Sequence, residues 1–271
     1  MNQFMLDGKR IAYHDSGQGV PVVLVHCSSA SHREWGSLGR QLKGDYRVLA
    51  PDLIGYGQSD GWPSDQPFDP HADVNVVIRL LELAGEPAHL LGHSYGGAVA
   101  LEVARLHPHA VRSLTLVEPV AFHLLRLGGR DKEWHAIARQ GRSIALAVSQ
   151  NDCRKAAAIF MGFWIGRLRW WLMPAKVKQS IVDTMGKVAK EFETIHKLQH
   201  TYSDYDPFRV PVRLIMGTRT RAPARAVVSE LQKLLPSAEL KQIKGAGHMS
   251  PFTHESEFRL LFIDFLDKHA T

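Results

Sequence analysis

The short apolar run Ala88–Leu91 leads straight into Gly92-His93-Ser94-Tyr95-Gly96-Gly97. From Gly96 to His107 the pattern is helical, until Pro108 stops it. Bare G-x-S-x-G is common by chance. Between a buried strand and a helix it becomes specific, because the serine then occupies a tight, strained turn that lifts its hydroxyl clear of the sheet. The glycines at 92, 96 and 97 let the chain close around that turn. A plain glycine-rich turn before a helix is the competing reading, and the context favours the elbow. Ser94 is therefore the candidate nucleophile.

The rest of the chain alternates in the same sense. Phe4–Leu6 and Arg10–His14 read as a hairpin around Asp7-Gly8. Val22–Val25, Arg47–Ala50, Leu114–Val117, Arg213–Met216 and Glu239–Ile243 read as further strands, several of them short continuous apolar runs buried on both faces. Helical patterns cover Asp73–Ala84, Ala224–Leu235 and Glu255–His269. Strands alternating with helices predict an α/β fold, a mostly parallel doubly wound sheet covered on both faces. Between Phe122 and Tyr205 the alternation stops and only helical runs appear, at Lys132–Ser149, Arg154–Phe163 and Ala175–Leu198. The expected organisation is a core of residues 1–121 and 206–271 carrying an inserted helical cap, 122–205. At 271 residues the chain is long enough to bury a large core without disulfides or a structural metal.

Composition removes several function classes. Two cysteines, Cys27 and Cys153, with no CxxC or Cys/His cluster, predict neither a disulfide scaffold nor a zinc site and fit a reducing compartment. The opening residues lack a basic head followed by an apolar stretch, and no apolar run is long enough to span a membrane, so a cytoplasmic protein is expected. The net charge of +6 is confined to one region: Val120–Asp206 holds 14 Lys/Arg against 8 Asp/Glu. No recognition module accompanies that basicity, so no nucleic-acid partner is expected.

A serine hydroxyl needs a base. The candidate is His248, in the loop Lys244-Gly-Ala-Gly-His-Met-Ser-Pro251 between the Glu239–Ile243 strand and the last helix. With these two residues, and with Val25-His26-Cys27-Ser28 and Asp52-Leu-Ile-Gly55-Tyr-Gly57-Gln-Ser59 after two core strands, the sequence resembles the α/β-hydrolase superfamily over nearly its whole length apart from the cap. Met249-Ser-Pro-Phe-Thr-His254 is similar to the tail of bacterial cofactor-independent esterase-like members. The resemblance implies an oxyanion hole made by the backbone N–H groups of Ser28 and Tyr95, and no metal or organic cofactor.

Two departures matter. Relatives usually have glycine where Cys27 stands, and Cys27 is read as a small buried side chain, not a nucleophile. Most relatives also carry the catalytic acid in a Gly-x-x-Asp turn after the seventh strand, which here reads Gly217-Thr218-Arg219-Thr220. Some members, including one group of haloalkane dehalogenases, hold the acid at the end of the sixth strand. That place is Glu118, 24 residues after Ser94, and Glu118 is the candidate acid. Asp52 is read as a turn support, and His93 as the variable residue of the elbow.

Serine instead of aspartate at the elbow disfavours dehalogenase and epoxide hydrolase chemistry and favours an acyl-enzyme. The resulting expectation is a serine carboxylesterase acting on a small-molecule ester. A hydrolase of C–C bonds in vinylogous diketones, a lactonase and a small-molecule receptor with little turnover are the alternatives. In the cap, Phe160–Ile165 and Trp170–Met173 either line a substrate pocket or simply join cap to core. The basic–aromatic run Arg167–Trp171 resembles a membrane anchor, but it is short, and membrane contact is not expected. Its positive charge suggests steering of anionic substrates. Oligomeric state is left open.

Overall fold

The computed structural model describes residues 1–63, 66–69, 71–197, 200–205 and 208–270. Strands β1 (Asn2–Leu6) and β2 (Lys9–Ser16) form the expected hairpin, with Asp7 and Gly8 both at positive φ. β3 (Val20–Val25), β4 (Tyr46–Pro51), β5 (Ala88–His93), β6 (Val111–Val117), β7 (Val212–Gly217) and β8 (Glu239–Ile243) complete an eight-stranded sheet in the order β1-β2-β4-β3-β5-β6-β7-β8. β2 runs antiparallel to β4, and all pairings from β4 onward are parallel. This is the α/β-hydrolase fold expected from the sequence.

Two hydrophobic layers sandwich the sheet. On one face α1 (Gly36–Leu42) and α12 (Glu255–Lys268) pack Leu38, Phe258, Phe262 and Leu266 onto Val22, Leu24 and Ile215. On the other, α2 (Ala72–Ala84), α3 (Tyr95–Leu106) and α10 (Ala222–Leu234) cover Val23, Val25, Leu90, Leu114 and Leu214.

Between β6 and β7 come α4 (His123–Leu127), α5 (Asp131–Ser149), α6 (Cys153–Trp164), α7 (Arg167–Leu172), α8 (Ala175–Val182) and α9 (Met185–Lys197). Their buried faces, including Ile137, Ile144, Phe160, Val188 and Phe192, join the same cluster as the second layer, so these helices grow out of the core packing. The single helix expected over Ala175–Leu198 is two. Val188 N–H bonds back to Thr184 carbonyl, while the Thr184 hydroxyl bonds the Ile181 carbonyl and Ser29, so Thr184 opens α9 as α8 ends. Leu198, and the return of the chain to the core at Asp206-Pro207, lie outside the described residues. Helices α1, α4 and α7 have no counterpart among the expected elements; each is seven residues or fewer, too short for a clear period. α11 (Ser250–Thr253) is a single turn after the His248 loop.

Candidate active site

Ser94 sits between β5 and α3 with φ 55° and ψ −115°, a backbone strain that only the surrounding structure can hold. Ser94 N–H donates to the Val117 carbonyl across the sheet, and Gly97 and Ala98 N–H groups return to the Ser94 carbonyl. A side chain at Gly96 would run into the backbone of Val25 and His26, which is why this turn takes glycine there. Glu118, the residue after β6, is also at positive φ (42°), and its N–H donates to the Ile215 carbonyl on the next strand.

The three candidate residues lie in one line. The Ser94 hydroxyl is 2.8 Å from His248 Nε2, and His248 Nδ1 is 2.8 Å from Glu118 Oε2. All three are buried. Glu118 also accepts the Gly217 N–H (2.8 Å) on Oε1 and the Thr220 hydroxyl on Oε2. Burial alone would raise the Glu118 carboxyl, but these donors and His248 hold it below the ordinary range, so it stays ionised. Three donors on an acceptor-only carboxylate fix the proton of His248 on Nδ1 and leave Nε2 as the acceptor for Ser94. Burial lowers the His248 pKa, with Glu118 opposing, so the ring is neutral at neutral pH. Trp164 of α6 stacks on that ring, centroids 3.8 Å apart and planes 20° apart, excluding water from one face.

His26 is buried with both nitrogens engaged. Nδ1 meets the Cys27 carbonyl at 2.7 Å, and Nε2 accepts the Leu53 N–H at 3.0 Å, which fixes the loop after β3. Cys27 N–H is taken by Glu34 Oε2 (2.8 Å), and burial pushes its thiol up, away from nucleophilic character. The N–H groups of Ser28 and Tyr95 have no acceptor among the described residues, so both remain open to a ligand. Asp52 accepts His32 N–H and Nδ1 and the Gln58 N–H, the turn support expected of it.

His93 is more than the variable residue of the elbow. Its Nε2 donates to the His248 carbonyl (2.9 Å), and its Nδ1 lies 2.6 Å from Glu34 Oε1. Burial lowers its pKa, but Glu34 outweighs that and holds it above the ordinary value. Glu34 thus ties the loop carrying Ser28 to the backbone of His248 through one imidazole. Cys27, Glu34 and His93 bring ligand atoms within 4.8 Å of one another. Since both His93 nitrogens and both Glu34 oxygens already have protein partners, a metal ion there would have to break this pairing.

A second buried network comes from α9. Lys187 Nζ lies 2.6 Å from Asp73, which also accepts the Tyr95 hydroxyl (2.8 Å). Glu191 accepts the hydroxyls of Ser28 and Tyr56, each at 2.6 Å. Helix α9 therefore holds Ser28 directly through Glu191, and reaches Tyr95 through Lys187 and Asp73. In sequence Lys187 and Glu191 are an i, i+4 pair between Met185, Val188 and Phe192 on the apolar stripe of α9, and a charged pair on a buried stripe was the signal available.

Above Ser94 opens a cavity of about 1130 Å³. Phe160, Met161, Trp164, Ile165, Leu172 and Met173 line it, so the first expected aromatic segment forms a pocket wall, as does the end of the second. Trp134 and Trp170 instead pack against the core cluster. Arg33, Arg169, Arg219 and Arg221 line the same cavity; all four are exposed, and none pairs with a carboxylate among the described residues. Cys153 stands half-buried and unpaired by disulfide at the start of α6.

A strained Ser94 turn at the carboxyl end of a central parallel strand, with His248 and Glu118 hydrogen-bonded to it in series from later loops, is an arrangement in keeping with the α/β-hydrolase fold. The chain belongs to the alpha/beta hydrolase family, whose model matches residues 22–259. It is 34% identical over 131 residues to a 2-hydroxymuconate semialdehyde hydrolase of Pseudomonas sp. strain CF600, a match covering 47% of this chain and 46% of that protein. It is 26% identical to a pimeloyl-[acyl-carrier protein] methyl ester esterase of Neisseria meningitidis over 91% of this chain and 93% of that one. Among solved structures, an alpha/beta hydrolase enzyme from a deep-sea metagenome library superposes with a TM-score of 0.82 at 19% identity, covering 98% of this chain and 97% of that one. That likeness shows the fold. The relatives include esterases, a lipase and a C–C bond hydrolase, and no helix among the described residues is long and apolar enough to cross a membrane.

Proposed function

We propose that this hydrolase is a serine carboxylesterase working through an acyl-enzyme on Ser94. The observation that carries the proposal is the continuous hydrogen-bonded line from Ser94 through His248 to Glu118. Neutral His248 Nε2 takes the Ser94 proton as Oγ attacks the ester carbonyl, and Glu118 stabilises the imidazolium that forms. The developing oxyanion is received by the Ser28 and Tyr95 N–H groups, donors worth roughly 10²–10³-fold each in rate. His248 returns the proton to the leaving alcohol, then activates water to release the acid. Apart from the attacking water, each of these steps uses groups of this chain.

The size and apolar lining of the cavity support an acyl or alcohol portion well beyond acetate. Hydrolysis of short- and medium-chain p-nitrophenyl esters by wild type and Ser94→Ala tests the reading. Turnover by wild type that the substitution abolishes is the expected result. The likeness to a 2-hydroxymuconate semialdehyde hydrolase favours a second reading, C–C bond hydrolysis with the same residues. Cleavage of a dienol diketone without turnover of any ester replaces the first reading by the second.

A further inference from the structure

We infer that the α7–α8 face is a docking surface for an anionic lipid–water interface, which would set the mouth of the cavity directly onto that interface. The short run Arg167–Trp171 alone gave little reason to expect membrane contact. Its exposure in the fold changes the balance. Leu168 is 70% exposed, Trp171 71% and Leu172 65%, three large apolar side chains on one six-residue helix. Leu172, Val177 and Arg169 line the cavity, so this helix stands at its entrance. Leu168 and Trp171 do not line it, so a soluble ligand inside the pocket leaves them in water.

Charge selects the partner. Between Asp152 and Asp183 the chain carries six cations, Arg154, Lys155, Arg167, Arg169, Lys176 and Lys178, and no carboxylate. A second copy of the chain would bring the same unneutralised cations face to face, which disfavours self-association through this surface. An interface with anionic headgroups neutralises them while taking up Trp and Leu at headgroup depth. Each cation held near such a surface is worth about a fivefold gain in partitioning.

The test is sedimentation of the whole chain with phosphatidylcholine vesicles, with and without about one-third phosphatidylglycerol, at low and at roughly physiological salt. Binding to the anionic vesicles, weakened by salt and accompanied by a blue shift of tryptophan emission, is expected. Leu168→Ser/Trp171→Ser should reduce partitioning by tenfold or more, and Arg167→Gln/Arg169→Gln/Lys176→Gln/Lys178→Gln should remove the preference for anionic lipid. Circular dichroism and thermal melting of each variant establish that it is folded. Absence of sedimentation with anionic vesicles at low salt overturns the inference, as does equal binding to neutral vesicles or binding indifferent to both sets of substitutions. Binding only to an acidic protein, with none to vesicles, overturns it too. Sedimentation needs no turnover, so its failure is separate from failure of the esterase proposal.

Discussion

Glu118→Gln is nearly isosteric, and the structure dictates why it should nevertheless cripple the enzyme. Glu118 receives three donors, with Gly217 N–H on Oε1 and Thr220 O–H and His248 Nδ1–H on Oε2. A glutamine has one acceptor oxygen. If that oxygen takes the Oε2 place, its NH₂ opposes the Gly217 N–H, a buried conflict costing about 1–3 kcal/mol. If it takes the Oε1 place, the NH₂ faces His248 Nδ1 and drives the ring proton to Nε2, the atom that must accept from Ser94. Misplacing that proton costs on the order of 10³–10⁴-fold in kcat in enzymes of this mechanism. The assay is kcat on a p-nitrophenyl ester, with Glu118→Gln/Thr220→Asp as the partner experiment. Thr220 touches the same carboxylate oxygen as His248, so an aspartate there brings a carboxylate back within reach of Nδ1 and should recover at least tenfold over Glu118→Gln. Thr220→Asp alone should lower activity, because two buried carboxylates side by side force one to take a proton. A Glu118→Gln enzyme keeping more than about a tenth of wild-type kcat would refute the assignment of Glu118.

Three further outcomes follow from the same geometry. Because burial lowers the His248 pKa, the acid limb of kcat/KM should fall below the ordinary histidine value of 6.5; Trp164→Ala, which admits water to the ring, should move it upward, and an unmoved limb would show that the stacking does not tune the base. Glu191 is raised by burial from 4.5 to about 7, against the pull of Lys187, Ser28 and Tyr56. Its stabilising term is complete below pH 4.5 and is lost as pH rises through 7, so wild type should lose on the order of 3 kcal/mol relative to Glu191→Gln across that window; parallel melting curves at both ends would contradict it. The four unpaired arginines at the cavity should favour esters bearing a remote carboxylate over neutral esters of equal length. That advantage should shrink as ionic strength rises from about 0.01 M to about 0.15 M and the screening length falls from ~30 Å to ~8 Å; a salt-independent ratio would rule out steering.

Local chemistry was the legible part of this chain. The elbow could be read because strand, glycines, serine and helix are contiguous, and each demands the next. Helix faces in the insertion could not, because orientation there depends on packing against distant residues. Trp164 and Trp171 are seven residues apart in the same aromatic stretch, yet one stacks on His248 and the other faces solvent. The elbow residue His93 looked interchangeable, since its partners Glu34 and His248 are 59 and 155 residues away. Thr220 was read as a missing acid, and the structure gives it a positive part, as a hydroxyl donor to the Glu118 carboxylate.

The sheet itself explains how an acid placed just after β6 can serve the proposed nucleophile, Ser94. In the parallel register His93 pairs with Val117, so the residues that follow, Ser94 and Glu118, leave neighbouring strands at the same level. Both leave at positive φ, and each is tied back by its own N–H to a strand carbonyl, Ser94 to Val117 and Glu118 to Ile215. The two strained turns are therefore one feature of the sheet edge, stepped across adjacent strands. Their side chains meet His248 from two sides, and the distance they must bridge is set by the strand spacing instead of by loop length. A catalytic acid placed after β7 depends on the loop that carries it. Placed here, it inherits the rigidity of the neighbouring strand, and the end of β7 with the turn after it supplies the Gly217 and Thr220 donors that join His248 in keeping the carboxylate ionised.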